Sequence, residues 1–207
     1  MSLIFNATLK AEIADRLAGF RHWTPPEAVL KQAAVTITIG PEDGIAKFLL
    51  TRRAPRLNAH AGQWALPGGR IDEGESVIEA ALRELHEEIS LVAQASNVLG
   101  TLDPYPTRSG YLITPVVIWM DDLSNMVPNP GEVASIHPFA LTELTRADSP
   151  IFMTIPESEK PVIRLLLGGD DHIHAPTAAV LYQFGEVCLK GNATRVHELE
   201  QPVWAWK

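Results

Sequence analysis

Residues 69–91 read GRIDEGESVIEAALRELHEEISL, and this stretch decides the fold. Glu84, Glu87 and Glu88 are spaced i, i+3 and i+4, so on a helix their carboxylates share one face. Apolar residues recur at the same period on a neighbouring face, namely Ile78, Ala81, Leu82, Leu85 and Ile89. The stretch therefore predicts an amphipathic helix with one acidic edge and one buried edge.

The acidic edge of this helix is costly unless something neutralises it. Each like-charged pair at i,i+4 spacing costs about 0.2–0.5 kcal/mol, and a bound cation cancels that cost. Carboxylate oxygens without cysteine or clustered histidine suit a hard ion, Mg²⁺ or Mn²⁺, rather than zinc. The alternative is a solvated acidic face, and the spacing alone leaves both interpretations open.

The same stretch resembles the Nudix box, G-x5-E-x7-R-E-U-x-E-E-x-G-U, in which U is a bulky aliphatic residue. The positions in register are Gly69, Glu75, Arg83, Glu84, Leu85, Glu87, Glu88 and Leu91. Ser90 stands where the family has glycine. That glycine ends the helix with positive φ, so serine at this position is expected to lower the local stability by about 1 kcal/mol. The position is not expected to take part in the chemistry.

The resemblance implies a fold and a reaction. The fold would be α/β/α, a mixed sheet between helices, in one domain over residues 1–207. The reaction would be metal-dependent hydrolysis of a phosphoanhydride. Mg²⁺ or Mn²⁺ would be bound by Gly69, Glu84, Glu87 and Glu88, and Arg83 would orient Glu84 or Glu75 through an ion pair. The proton would go to Glu84, Glu88 or a glutamate outside the box.

Glu132 is the candidate for that outside glutamate. It follows Asn129, Pro130 and Gly131 and precedes a strand-like segment. A glutamate outside the box often completes the metal cluster of Nudix hydrolases or acts as the base. The alternative is a simple loop acid, and Asp121 and Asp122 are the next candidates.

The segment before the box resembles that of coenzyme A pyrophosphatases, roughly L-L-T-x-R-[SA]-x3-R-x3-G-x3-F-P-G-G. The residues that agree are Leu49, Leu50, Thr51, Arg53, Ala54, Gly62, Pro67, Gly68 and Gly69. Asn58 replaces the second arginine, and Leu66 replaces the phenylalanine. The favoured substrate is therefore coenzyme A or acyl-coenzyme A. The alternatives are another diphosphate, such as ADP-ribose, a dinucleotide or a nucleoside triphosphate, and a non-enzymatic nucleotide-binding domain.

Two clusters are candidates for substrate binding. Arg52 and Arg53 belong to a dense cationic run, and arginine suits bidentate phosphate contact. Thr107, Arg108 and Tyr111 offer a hydrogen bond, a charge and a stacking surface for the nucleotide half. Surface charge and loop chemistry are the respective alternatives. Three of the seven histidines are weighed as metal ligands. His60 is expected to be structural, and His172 and His174 are expected to form a polar turn with Asp170 and Asp171 rather than a metal site.

Composition limits the class of partner. The net charge of −8 argues against nucleic acid, because such binding needs a basic footprint. No signal sequence or transmembrane run is present, and the single cysteine, Cys188, points to a reducing compartment, so a cytoplasmic protein without membrane contact is expected. Trp204 and Trp206 in the tail are expected to pack on the domain or on a partner subunit, which allows a homodimer.

Periodicity predicts the remaining elements. Ser76 followed by Glu79 predicts a capping box at the start of the acidic helix. Helices are expected over about residues 7–20 and 177–189, with a tail to 207. Strands are expected over residues 34–39 and 46–51, joined as a hairpin, and over 112–119 and 162–167.

Overall fold

The computed structural model describes residues 3–25, 30–56, 62–169 and 171–206. The helices are α1 (Ala7–Gly19), α2 (Val77–Ile89) and α3 (Thr177–Phe184), and α3 continues as a π-helical turn, Gly185–Lys190. The strands are β1 (Lys31–Glu42), β2 (Ile45–Arg53), β3 (Trp64–Ala65), β4 (Gly68–Arg70), β5 (Val98–Thr101), β6 (Tyr105–Pro106), β7 (Tyr111–Trp119), β8 (Val133–Ala140), β9 (Ile151–Ile155), β10 (Ser158–Leu167) and β11 (Asp171–His174). Asn58, His60 and Asp170 lie outside the described residues.

Eight strands form one mixed sheet. Its central order is β3-β2-β1-β7-β5, while β4 pairs with β1, β6 with β7 and β8 with β2. Only β1 and β7 run parallel among these pairings, with Ala34 opposite Thr114. The predicted hairpin is confirmed: β1 and β2 are joined through Asp43 and Gly44, both with positive φ, as a two-residue type I′ turn requires.

Helices cover both faces of this sheet. On one face α2 buries Ala81, Leu85 and Ile89 against Leu49, Val116 and Ile118 of the strands. On the other face α1 and α3 bury Ile13, Leu17, Leu181 and Phe184 against Ile37, Phe48 and Trp119. Neighbouring residues of one strand point to opposite faces, which is why Phe48 and Leu49 belong to different cores. The predicted α/β/α architecture is confirmed.

Two parts of the fold differ from the sequence predictions. Strands β9, β10 and β11 form a second, three-stranded sheet, of which only residues 162–167 were expected. The polar turn expected at His172 and His174 is wrong, because this segment is β11, with Ile173 buried opposite Leu165 of β10. Strand β5 was also unexpected, since it is a short edge strand without a clear period. No helix in the described part of the chain has the length and apolar character needed to cross a membrane.

Both ends of α2 are fixed by local hydrogen bonds. At the start, the Glu79 N–H donates to the Ser76 hydroxyl (3.2 Å) and the Ser76 N–H donates to the Glu79 carboxylate (2.8 Å). This is the predicted capping box. At the end, Ser90 takes the left-handed conformation with φ of 60°, and its N–H donates to the carbonyl of His86. Serine therefore occupies the position at which glycine carries no steric cost.

Replacing Ser90 by glycine tests this strain. Ser90→Gly is expected to raise the free energy of unfolding by about 0.5–1 kcal/mol, because glycine adopts positive φ freely. Urea unfolding followed by circular dichroism would measure the change. Ser96→Gly, at an exposed position outside α2, is the control and should not be stabilising. An equal or lower stability of Ser90→Gly would contradict the account.

Candidate functional site

A glycine turn holds two glutamates of α2 close to the sheet. The Gly68 N–H donates to Oε2 of Glu88 (3.3 Å). A Cβ atom on Gly69 would lie 2.3 Å from Oε1 of Glu84, and one on Gly68 would lie 2.3 Å from the carbonyl oxygen of Ala34. Both positions therefore need glycine: Gly68 so that β4 can pair with β1, and Gly69 so that the Glu84 carboxylate can lie against the backbone.

Arg83 links the turn to the helix. Its Nε and Nη2 bind the two carboxylate oxygens of Glu75 at 2.9 and 3.0 Å. Its Nη1 donates to Glu84 (2.8 Å) and Glu87 (3.1 Å), and its Nη2 also donates to the carbonyl of Arg70 (3.0 Å). The guanidinium lowers the pKa of Glu75 chiefly through these hydrogen bonds. The structure therefore pairs Arg83 with both of the acids expected from the sequence.

Glu88 is the most electrostatically strained group of the site. Its side chain is 4% exposed, and burial raises its pKa to about 8. The charges of Glu84 and Glu132 add to the rise, whereas Arg53 and the Gly68 N–H oppose it. Burial also raises the pKa of Glu84, although its hydrogen bond to Arg83 opposes that rise. Arg83 therefore leaves part of the negative charge in this cluster uncompensated.

The donor set fits a hard divalent cation. Glu84 and Glu88 present carboxylate oxygens beside the backbone of the glycine turn, and Mg²⁺ is commonly held by one or two carboxylates with water and substrate oxygens. As the side chains are arranged, no three His, Cys, Asp or Glu residues in the described ranges are placed to share one ion. Glu87 is the outermost of the three helix acids, with 52% of its side chain exposed and its carboxylate on Arg83.

The acids outside α2 separate into two groups. Glu132 is exposed, but its charge acts on both Glu84 and Glu88, so the structure brings it to the acidic cluster. Asp121 accepts a hydrogen bond from Nε1 of Trp119 (3.2 Å), and Asp122 caps the turn at Ser124. The two aspartates therefore make local contacts in the turn after β7.

A cavity of about 310 Å³ opens beside the glycine turn. Its wall includes Gly68, Gly69 and Arg53. The cavity therefore adjoins the carboxylates of Glu84 and Glu88, which lie against the two glycines. The rest of the wall is largely apolar and includes Trp64 and Tyr111. Two buried nitrogen atoms, Nε of Arg53 and Nε1 of Trp64, have no hydrogen-bond partner among the described residues. The cavity thus offers two arginine cations, Arg53 and Arg70, together with one aromatic donor and a stacking surface.

The five predicted substrate-binding residues do not all reach this cavity. Arg53, Thr107 and Tyr111 line it. Arg52 stacks on the Trp64 ring (3.9 Å to the centroid), pairs with Asp171 (3.0 Å) and lines a smaller neighbouring cavity of about 170 Å³. His172 and His174 line that second cavity as well.

Arg108 is exposed and does not line the main cavity. Its Nε and Nη2 bind the Glu200 carboxylate at 3.1 and 2.5 Å, and its guanidinium lies over the Trp206 ring (4.9 Å). Its charge is therefore already paired, and it is absent from the residues that line either cavity.

Sequence reasoning missed several lining residues, among them Trp64, Arg70 and Gln201. Trp64 lies on β3, two residues before the Leu-Pro-Gly-Gly segment, and its position in that loop was the available signal. Arg70 occupies an unspecified position of the box, and its guanidinium lies 5.4 Å from the centre of the Tyr111 ring. Gln201 comes from the far end of the chain, and no local pattern marks it.

Comparison with known proteins agrees with this geometry. The sequence model described as "NUDIX domain" matches residues 29–158, more than half of the 207-residue chain. The chain belongs to the Nudix family. Its Nudix box is the stretch that carries Glu84, Glu87 and Glu88, and the matched range also contains Glu132 and Arg53.

Two bacterial relatives carry the name "Uncharacterized Nudix hydrolase NudL". The one from Photorhabdus laumondii is 41% identical over 158 residues, or 75% of this chain and 76% of that protein. The one from Yersinia enterocolitica is 44% identical over 100 residues, or 48% of this chain and about half, 51%, of that protein. A solved MutT/nudix family protein from Enterococcus faecalis has a TM-score of 0.56 at 19% identity, covering 83% of this chain and 68% of that one, which supports the fold.

Stability as a function of pH tests the buried charge of Glu88. The pKa of Glu88 rises from its ordinary 4.5 to about 8 in the folded protein, so the folded state keeps a proton that the unfolded chain releases above pH 4.5. Its contribution is therefore fully present below pH 4.5 and is lost as the pH rises through 8.

Without divalent cations, Glu88→Gln is accordingly expected to raise the free energy of unfolding at high pH and to flatten its pH dependence. Since one pKa unit corresponds to about 1.4 kcal/mol, the rise from 4.5 to about 8 sets an upper bound of about 5 kcal/mol on the gain at pH 9. Urea unfolding in EDTA across the pH range would measure it. Glu87→Gln, at the exposed position, is the matched control; parallel curves for Glu88→Gln and the unaltered protein would refute the buried-charge account.

Proposed function

We propose that the protein is a metal-dependent hydrolase that cleaves a diphosphate bond in a nucleotide derivative. One observation carries the proposal: the incompletely neutralised pair of half-buried Glu84 and buried Glu88 adjoins, through Gly68 and Gly69, a cavity whose wall holds Arg53, and the Nε of Arg53 has no hydrogen-bond partner among the described residues. Carboxylates that Arg83 does not fully neutralise, next to an arginine that forms no ion pair within the described residues, form a complementary site for a metal-bound diphosphate. Membership of the Nudix family supports the same reaction.

The protein residues would divide the chemistry among them. Mg²⁺ or Mn²⁺ would be held by the carboxylates of Glu84, Glu87 and Glu88 and by the Gly69 carbonyl. That ion, when bound, supplies charge neutralisation for the diphosphate and makes a water more acidic. Arg83 would keep Glu84 in place, since it anchors this carboxylate to Glu75 and to the Arg70 carbonyl.

The reaction itself is a displacement at phosphorus. Water attacks one phosphorus atom, the bridging P–O bond breaks, and the second phosphate leaves with that oxygen. Glu84, Glu88 or Glu132 would take the proton of the attacking water, because all three carboxylates belong to the acidic cluster. Arg53 would bind the phosphate oxygens, which requires its charge to be free of a protein carboxylate.

Coenzyme A or an acyl-coenzyme A is the favoured substrate, with 4′-phosphopantetheine and adenosine 3′,5′-bisphosphate as products. The support is the residue pattern upstream of the box together with a cavity wall that pairs aromatic and apolar surface with Thr107 and Tyr111. Because Asn58 replaces an arginine of that pattern, another nucleoside diphosphate derivative, such as ADP-ribose, is the alternative.

A substrate panel tests the proposed reaction. With Mg²⁺ or Mn²⁺, we expect turnover of coenzyme A in preference to ADP-ribose, diadenosine tetraphosphate and ATP, measured by chromatography of the products. Glu84→Gln should lower kcat by roughly 10²-fold or more, because it removes a ligand of the ion that stabilises the transition state.

Glu73→Gln is the matched control for the panel, since Glu73 is an exposed acid of the same box outside the cluster. It should keep the activity of the unaltered protein. No turnover of any substrate with either metal would contradict the proposed function, whereas turnover of ADP-ribose alone would contradict only the choice of coenzyme A.

A further inference from the structure

The far wall of the main cavity is built by residues 199–206. Gln201 and Ala205 of this segment line the cavity, although they lie more than 100 residues from the acidic helix in sequence. The segment is tied down at its start, where Tyr105 Oη donates to the Leu199 carbonyl (2.9 Å). It is closed on itself further along, where Trp206 Nε1 donates to the Gln201 carbonyl (2.9 Å).

An ion pair fastens the middle of the 199–206 segment. Glu200 is 3% exposed, and it binds Arg108 through Nε and Nη2 and Ser158 through the hydroxyl (2.9 Å). Its N–H donates to the carbonyl of Pro161 (2.8 Å). A buried carboxylate with three side-chain contacts is held in one place, since losing any of them leaves an uncompensated charge. Arg108 thereby fixes the residue next to Gln201.

Gln201 presents an unused donor at the cavity. It is 3% exposed, and its Oε1 accepts the backbone N–H of Arg108 (2.8 Å). Its Nε2 donates to no residue in the described part of the chain, and the side chain belongs to the cavity wall. A ligand acceptor that enters the cavity and reaches this amide donor would exchange water for a direct hydrogen bond, which favours binding of that ligand.

We infer that residues 199–206 form a specificity element, in which Gln201 Nε2 donates to an acceptor on the organic part of the substrate. The inference rests on the proposed function. The acceptor would be a carbonyl oxygen or a ring nitrogen, because the Gln201 Oε1 is already occupied and only the donor is available. Arg108 is on this account a positioning residue: it acts through Glu200 and the segment and does not contact the phosphates.

Gln201→Glu is the most direct test of the donor. The substituted side chain keeps an oxygen for the Arg108 N–H and replaces the donor Nε2 by an acceptor of almost the same size. For the best substrate of the panel, kcat/KM is expected to fall about tenfold or more, mainly through KM, because a hydrogen bond becomes a repulsion. The fall should differ between substrates with different organic groups, so the preference ratio changes. Gln94→Glu, an exposed glutamine outside the cavity, is the control and should leave the ratio unchanged.

The outcomes separate this inference from the proposed function. An unaltered preference ratio and KM in Gln201→Glu, with an active parent protein, would overturn the inference alone. A uniform loss on all substrates together with a lower melting temperature would also overturn it, since that is the signature of a purely structural glutamine. Binding to the parent protein would be measured by tryptophan fluorescence. If the parent protein neither hydrolysed nor bound coenzyme A or ADP-ribose, the inference and the proposed function would both be overturned.

A double-mutant cycle tests the role of Arg108. Arg108→Gln and Glu200→Gln should each raise KM by a similar factor, and the double variant should be no worse than either single one, because both break the same contact. Arg108→Lys should restore part of the loss. If Arg108 bound the substrate phosphate directly, Glu200→Gln would free its charge and lower KM, which would contradict the positioning role.

Discussion

Two carboxylates pressed against a glycine turn are the constraint on which the rest of the structure depends. Glu84 and Glu88 share one edge of α2, and the only arginine that binds the edge, among the described residues, pairs with Glu84 and Glu87 rather than Glu88. The cluster therefore depends on two features of the fold. Gly68 lets β4 pair closely with β1, and α2 buries its apolar edge against the sheet. The fold stabilises a cluster that is unfavourable in isolation, which is typical of a binding site.

The cavity is complementary to this cluster because it is assembled from distant parts of the chain. One end of the cavity is formed by the glycine turn, where Gly69 adjoins the acidic cluster, and by β2, which supplies the cation Arg53. The other walls are formed by the 107–111 loop and the 199–206 segment. The Arg108–Glu200 ion pair joins two of these walls. A diphosphate ester would have its phosphates at the first end and its organic group against the second. Under the proposed function, this division would separate the residues for chemistry from those for selection.

The sequence predicted those features whose causes are local. The acidic edge and the capping box follow from spacings within one helix, and the hairpin follows from Asp43 and Gly44. The left-handed Ser90 follows from its position at the helix end. Features that depend on distant partners are not predictable from the sequence. Ile173 is buried only because β10 lies opposite it, so the local sequence predicts a turn where β11 lies. The ion pair of Arg108 is equally hidden, because Glu200, 92 residues away, has no visible relation to it in sequence.

Calorimetric titration of the folded protein with Mn²⁺ at pH 7, in two buffers of different ionisation enthalpy, tests the central claim most directly. Because Glu88 holds a proton up to a pKa of about 8, an ion that binds its carboxylate must displace that proton. The account predicts binding with release of close to one proton per protein molecule at pH 7 and almost none at pH 9.5. Binding without proton release at pH 7, or no binding at all, would contradict it.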